Sequence, residues 1–194
     1  INILNIKDKI AMKIIAGLGN PDQKYAHSRH NAGFIFVDYL ATRLHLKFQA
    51  EKKLQAALAK SEIIYRGESS DLLLIKPLTM MNNSGQALRA VLDYYYPDAL
   101  EEESNHLIVA HDDLDLELGE FKLQRGKGPK IHNGLQSVYQ HLGMKNFWHL
   151  RLGVDSRQGL RNQPSAAYVL QKMSAAEERQ LQQAVVEAFE LLLP

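Results

Sequence analysis

The sequence predicts a single α/β domain, and three observations carry that prediction. Three short apolar runs each empty into a polar turn: Lys13-Ile14-Ile15-Ala16 into Gly17-Leu18-Gly19-Asn20-Pro21, Asp71–Pro77 into Thr79–Gly85, and His106–Ala110 into His111-Asp112-Asp113-Leu114-Asp115. Such runs read as strands followed by the turns at their carboxyl ends. Between them lie stretches with apolar residues at helical spacing. The length of 194 residues, with 45% hydrophobic and 23% charged side chains, suits one well-buried core.

The elements follow in order. The run at 13–16 is the first strand. Asn31-Ala32-Gly33 opens a helix carrying Phe34, Val37, Leu40, Ala41 and Leu44 on one face, which puts His30 just before its N-terminus. Leu54–Tyr65 reads as a strand, as does 71–77. A second helix begins near Asn83-Ser84, with Asn82 at its mouth, and runs through Leu88, Val91, Leu92 and Tyr95 to Pro97. The strand at 106–110 comes next, its Asp113 and Asp115 read as turn and loop-capping residues. A third helix spans Gly134–His141 and stops at Gly143, and Phe147–Val154 is a strand. Ser174-Ala175-Ala176-Glu177 is a capping box opening a last helix with Leu181, Val185, Phe189 and Leu192 on one face. No repeat or low-complexity tract interrupts the series.

Composition narrows the function classes. No apolar run is long enough to span a bilayer. Residues 1–12 lack the apolar core and small-residue cleavage site of a secretory signal. Met12 is read as an initiator, with 1–11 an extension, native or introduced. The lack of cysteine excludes thiolate chemistry and disulfides, and with no signal it favours the cytoplasm. Net charge is only +1, but it is segregated. Asp98 to Glu120 holds nine acidic residues and no Lys or Arg, whereas Phe121 to Arg161 holds eight basic residues against Asp155 alone. That division suits a protein that lays one face on a polyanion.

Ligands of open α/β sheets bind beyond the carboxyl ends of the strands. If the three strands are neighbours, Asn20, Asn82 and Asp112 converge on one rim and His30 reaches in from the first loop. No Gly-x-Ser-x-Gly elbow offers a serine nucleophile. Hydrolysis at such a rim most simply uses water activated by His30, with a carboxylate fixing the imidazole tautomer. The positive end of the following helix is expected to lower the pKa of His30 and keep it neutral. Gly17-Leu18-Gly19 starts like a dinucleotide fingerprint, but Asp22 stands where its third glycine belongs, so NAD binding is rejected. A metal held by His111, Asp112, Asp113 and Asp115 is disfavoured because the set is local and lacks further histidines at ligand spacing.

The motifs at Gly17–Pro21, Arg29–Gly33, Lys76–Gly85, His111–Asp115 and His132-Asn133-Gly134-Leu135 resemble, in order, those of the bacterial peptidyl-tRNA hydrolase family. The resemblance covers residues 12–194. It implies a mixed, mostly parallel sheet surrounded by helices and a cytoplasmic monomer without metal or cofactor. The implied reaction is cleavage of the ester that joins a peptide to tRNA. The implied catalytic residues are His30 as general base, Asp112 as its orienting carboxylate, and Asn20 near the oxyanion. Tyr25, Asn31, Met81, Asn82, His132 and Asn133 would bind substrate, and Lys122 and Arg151 would grip the tRNA acceptor stem. Carboxamides suit this chemistry because they stabilise an oxyanion without adding a competing charge.

Two departures stand out. Lys130-Ile131 replace the two glycines expected before His132, and Gly153-Val154-Asp155 replace a Gly-Ile-Gly run. A β-branched residue is an outlier at positive φ, so Ile131 is expected to keep negative φ and Lys130 to face solvent. Two other classes compete with the hydrolase reading. One is an RNA-binding relative without catalysis, which intact His30 and Asp112 argue against. The other is a metal-dependent esterase, which a chelator would inactivate.

Overall fold

The computed structural model describes residues 12–65, 68–96, 106–160 and 163–193. Residues 1–11, expected from the sequence to be an extension, the acidic residues from Asp98 to Glu103, and Arg161 lie outside them. The described elements are β1 (Met12–Gly17), α1 (Ala32–Arg43), β2 (Gln49–Glu51), β3 (Ala56–Tyr65), β4 (Glu68–Pro77), α2 (Ser84–Tyr95), β5 (Leu107–Glu117), β6 (Phe121–Arg125), α3 (Asn133–Leu142), β7 (Trp148–Asp155), α4 (Ser165–Val169) and α5 (Ala175–Leu192).

The strands form one seven-stranded sheet in the order β2-β3-β4-β1-β5-β7-β6. The four central strands run parallel, while β2, β3 and β6 pair antiparallel at the two sides. Alternation along the central strands divides the core in two. Ile15, Leu72, Leu74, Ile108, Leu150 and Leu152 pack with Phe36, Val37 and Leu40 of α1 and Leu181, Val185 and Leu192 of α5. Ile14, Leu73, Ile75 and Val109 pack on the other face with Leu88, Val91 and Leu92 of α2 and Val138 of α3. Strands buried on both faces read as unbroken aliphatic runs, which is why they were legible. Each such leucine or isoleucine contributes about 1.5–3 kcal/mol by leaving water.

One expected boundary is corrected. His111-Asp112-Asp113 is not a turn: β5 continues through it to Glu117. The acidic residues are tolerated because β7 pairs with this stretch as far as Asp113 and because hydrogen-bond donors meet both buried carboxylates, imidazoles at Asp112 and the Arg151 guanidinium at Asp113. Asp113 is accordingly a strand residue ion-paired with Arg151, and its Oδ1 also caps the backbone N–H of exposed Asp115 where the β5 register shifts.

β5 outruns β1. The last β1 residue in register is Gly17, opposite Ala110, so Asp112 stands beside a position that β1 has vacated. The chain leaving β1 folds across this gap: Leu18 N donates to Ala110 O at 2.9 Å, and Phe34 N donates to Leu18 O at 3.2 Å. Gly33 sits in the crossing. A β-carbon there would overlap Ala110 O and lie 2.6 Å from Leu18 O, both backbone atoms that cannot rotate away. Gly33→Ala is therefore expected to cost about 3 kcal/mol by overpacking and to lower Tm by about 6–12 °C in thermal denaturation. An unchanged Tm would show that the crossing is looser than its geometry.

Candidate active site

β1 lies at the point where the connections diverge, with β4 on one side and β5 on the other, so the loops after β1 and β4 part above it. This is where open sheets take ligands. Two hydrogen bonds close the loop after β1 on itself and a third ties it to the loop after β4. Asn31 Oδ1 accepts from Asn20 N at 2.8 Å, Asn31 Nδ2 donates to Asn20 O at 3.0 Å, and Asn20 Oδ1 accepts from Met81 N at 2.8 Å. Accepting from Met81 N fixes which way the Asn20 carboxamide faces and leaves its Nδ2 hydrogens to donate to a ligand.

His30 occupies a one-turn 3-10 segment, Arg29–Asn31, immediately before α1. Its Nδ1 lies 2.8 Å from Asp112 Oδ1. An ionised carboxylate only accepts, so Nδ1 carries the proton and Nε2 holds the free lone pair. Asp112 is 2% exposed and His30 9%. The same Asp112 oxygen receives His132 Nε2 at 2.9 Å. His132 Nδ1 in turn accepts from Leu135 N at 3.2 Å and caps α3, which fixes its tautomer with the proton on Nε2. Asp112 is thus the shared acceptor of two imidazole N–H groups whose rings lie 4.9 Å apart.

The electrostatics correct one expectation. Burial alone would lower the pKa of His30, but the charge of Asp112 and its hydrogen bond outweigh burial and raise it above the ordinary 6.5. A full charge at hydrogen-bond distance prevails over a partial helix charge. Burial would raise the Asp112 carboxyl, but His30 and His132 hold it well below the usual carboxylate range. The neighbouring His111 and His149 behave oppositely. Burial pushes His149 down to about 4 and holds His111 well below the ordinary imidazole value, so both are neutral near pH 7. Their facing nitrogens, His111 Nε2 and His149 Nδ1, are 3.4 Å apart.

The remaining sequence-derived residues divide. Met81 is buried, and its sulfur fills the space that a side chain at Gly134 would need. Asn82 and Asn133 are exposed beside it, Asn133 as the first residue of α3. Tyr25 is half-buried in a 3-10 turn, and its described ring contact is with Lys24, not with the His30 cluster. Lys122 is exposed on β6. Two roles need revision. His132 has both ring nitrogens committed within the protein and so orients Asp112 instead of presenting a donor to substrate. Arg151 is 6% exposed, its Nε donating to Asp113 Oδ2 at 2.7 Å and its Nη1 to Gln124 Oε1 at 2.7 Å, so it braces β5, β6 and β7 and is not a free phosphate ligand. His149 was not foreseen; a lone histidine in an aliphatic strand gives no signal that distinguishes it from core.

Ile131 is 86% exposed and Lys130 is exposed. The described non-glycine residues with positive φ are His45, Gln55 and Gln158, so Ile131 keeps negative φ as its branching requires. His30, Asp112 and His132 could also offer three metal-ligand atoms within 4.8 Å of one another. That set differs from the one weighed in sequence, since Asp113 is taken by Arg151.

Residues 14–193 match the family described as peptidyl-tRNA hydrolase. Peptidyl-tRNA hydrolase of Neisseria meningitidis is 37% identical over 181 residues, covering 93% of this chain and 88% of that one. The Bifidobacterium animalis protein of the same name is 39% identical over 170 residues, covering 87% and 82%. The crystal structure of peptidyl-tRNA hydrolase from Acinetobacter baumannii superposes with a TM-score of 0.79 at 31% identity, covering 93% of this chain and 86% of that one.

Proposed function

The chain belongs to the peptidyl-tRNA hydrolase family, and we propose that its hydrolysis of the ester between peptide and tRNA runs through a water deprotonated by His30. The observation that carries this reading is the 2.8 Å contact of His30 Nδ1 with Asp112, which leaves Nε2 as the basic atom at the rim. In the proposed step Nε2 takes a proton from water as the oxygen attacks the ester carbonyl. Asp112 stabilises the imidazolium that forms, and Asn20 Nδ2 donates to the oxyanion. Collapse expels the ribose oxygen, to which His30 returns the proton. His132 holds Asp112 in place and Met81 shapes the pocket floor, while Asn31 keeps Asn20 aimed. Asn82 and Asn133 offer exposed carboxamides to the peptide.

No described residue supplies a second carboxylate beside Asp112 and the two imidazoles. The proposed reaction uses no metal. Turnover of N-acetylated aminoacyl-tRNA by the purified protein should survive exhaustive chelation, whereas loss restored by a divalent cation would favour the metal-dependent esterase. Family membership also supports a monomer acting in the cytoplasm.

For tRNA, exposed Lys122, Lys127, Lys130 and Lys145 form the accessible basic surface, with Gly126 hydrogen-bonded to Phe147 to bring these loops together. Each phosphate neutralised releases condensed counterions, so affinity falls as salt rises. Lys122→Glu is expected to weaken binding across all tRNA sequences and to reduce the salt slope by about one. Cleavage of a minimal peptidyl-nucleotide should stay near the parent rate, and an unchanged slope would move the RNA surface elsewhere.

A further inference from the structure

We propose that Glu177, a capping-box residue of α5, is a positioning residue for catalysis and sets the height of His30 through a partly buried ion pair with Arg29. The inference rests on His30 being the base and adds a group that is remote in sequence. The catalytic imidazole is fixed at its ring by Asp112, but a ring bond alone does not locate the backbone that carries it. That backbone is held from the opposite end of the chain.

Arg29 precedes His30 in the same 3-10 turn, and its side chain is 5% exposed. Its Nη2 donates to Glu177 Oε1, and Nη1 approaches Gln171 O at 3.5 Å. The plane lies over the Tyr168 ring at 4.2 Å, with Arg157 stacked on the same ring at 4.3 Å. Main-chain bonds reinforce the contact: Arg29 N donates to Gln171 O at 3.3 Å and Met173 N to His27 O at 2.9 Å, and Ser28 bridges Lys172.

Glu177 is more fully used than a cap needs. Its Oε2 accepts from Ser174 N at 2.7 Å, which completes the capping box. Its Oε1 accepts from both Arg29 and Ser156 Oγ, the latter at 2.6 Å. Although burial opposes its ionisation, hydrogen bonds from Ser156 and Ser174 and the charge of Arg29 bring its pKa down to about 2. Capping requires only the Ser174 bonds. The second oxygen joins the end of β7 and the start of α5 to the turn that bears His30, and a planar guanidinium stacked on Tyr168 supplies a directional link that an ammonium cannot.

The test separates positioning from stability. Glu177→Gln keeps a capping-box side chain while removing the charge, and Arg29→Lys keeps the charge while losing the fork. Each is expected to lower kcat for peptidyl-tRNA about ten- to a hundredfold, as a misplacement of about 1 Å does. KM and the midpoint of the acidic limb should stay within error, because Asp112 still sets the basicity of His30. Ser174→Ala, which damages the same cap without touching Arg29, should lower Tm and leave kcat at the parent value. Combining Arg29→Lys with Glu177→Gln should cost no more than either alone. Parental kcat in both single variants, or an equal fall in Ser174→Ala, would overturn the proposal. If His30→Ala is inactive while both latch variants stay fully active, the latch fails and the base assignment stands; an active His30→Ala would remove the base assignment itself.

Discussion

His30→Ala is expected to lower the turnover of peptidyl-tRNA by about two to four powers of ten, the range for removing a positioned general base. The geometry makes this a clean deletion. His30 gives Asp112 one of its two imidazole hydrogen bonds, and His132 supplies the other, so the variant does not strand a bare buried carboxylate. The turn itself stays tied by Asn31 to Asn20 and by Arg29 to Glu177. Circular dichroism should therefore show a folded protein with a thermal transition close to the parent's. His111 and His149 cannot substitute as bases, since both are fully buried and turned toward each other. Single-turnover rates at saturating enzyme give the measurement. Turnover within threefold of the parent by a folded variant would eliminate His30 from this role.

The parts of this site that were legible in sequence are those encoded locally. Ile14-Ile15-Ala16, Leu72–Ile75 and Leu107–Ala110 are aliphatic because both faces of a central parallel strand are covered. Ser174 and Glu177 announce their helix because a capping box is complete within four consecutive residues. What escaped depends on partners distant in the chain. Asp112 and Asp113 carry turn chemistry when read alone, and only Arg151 and two histidines, from 20 to 82 positions away, make a strand of them. Arg151 looks like an RNA contact in a basic segment until Asp113 and Gln124 are found against it. β6, with charged residues at Lys122 and Arg125, offers no hydrophobic run and is defined by pairing with β7. The sign of the His30 shift was misjudged for the same reason: the helix end is visible in sequence, the carboxylate 2.8 Å away is not.

Asp112→Asn should produce the second large effect, and its pH profile identifies the cause. In the parent, catalysis requires His30 neutral, so kcat/KM should rise with pH along an acidic limb whose midpoint lies above 6.5, the direction in which Asp112 moves the imidazole against the opposing effect of burial. Replacing the carboxylate removes the charge that raises the pKa and leaves the burial that lowers it. The midpoint should then fall below 6.5. More of the variant is neutral at pH 7, yet it is expected to be slower by about two to four powers of ten. The asparagine Nδ2 can donate to His30 Nδ1 and so favour the tautomer that places the proton on Nε2, where the base must be free. An imidazole with a lower pKa also accepts a proton from water less readily, and the imidazolium formed during attack loses its counter-charge. The two readouts thus move in opposite senses: ionisation favours the variant, and rate disfavours it. A midpoint that stays above 6.5 in Asp112→Asn would show that another group sets the limb, and near-parental turnover at the plateau would show that Asp112 does not orient the base.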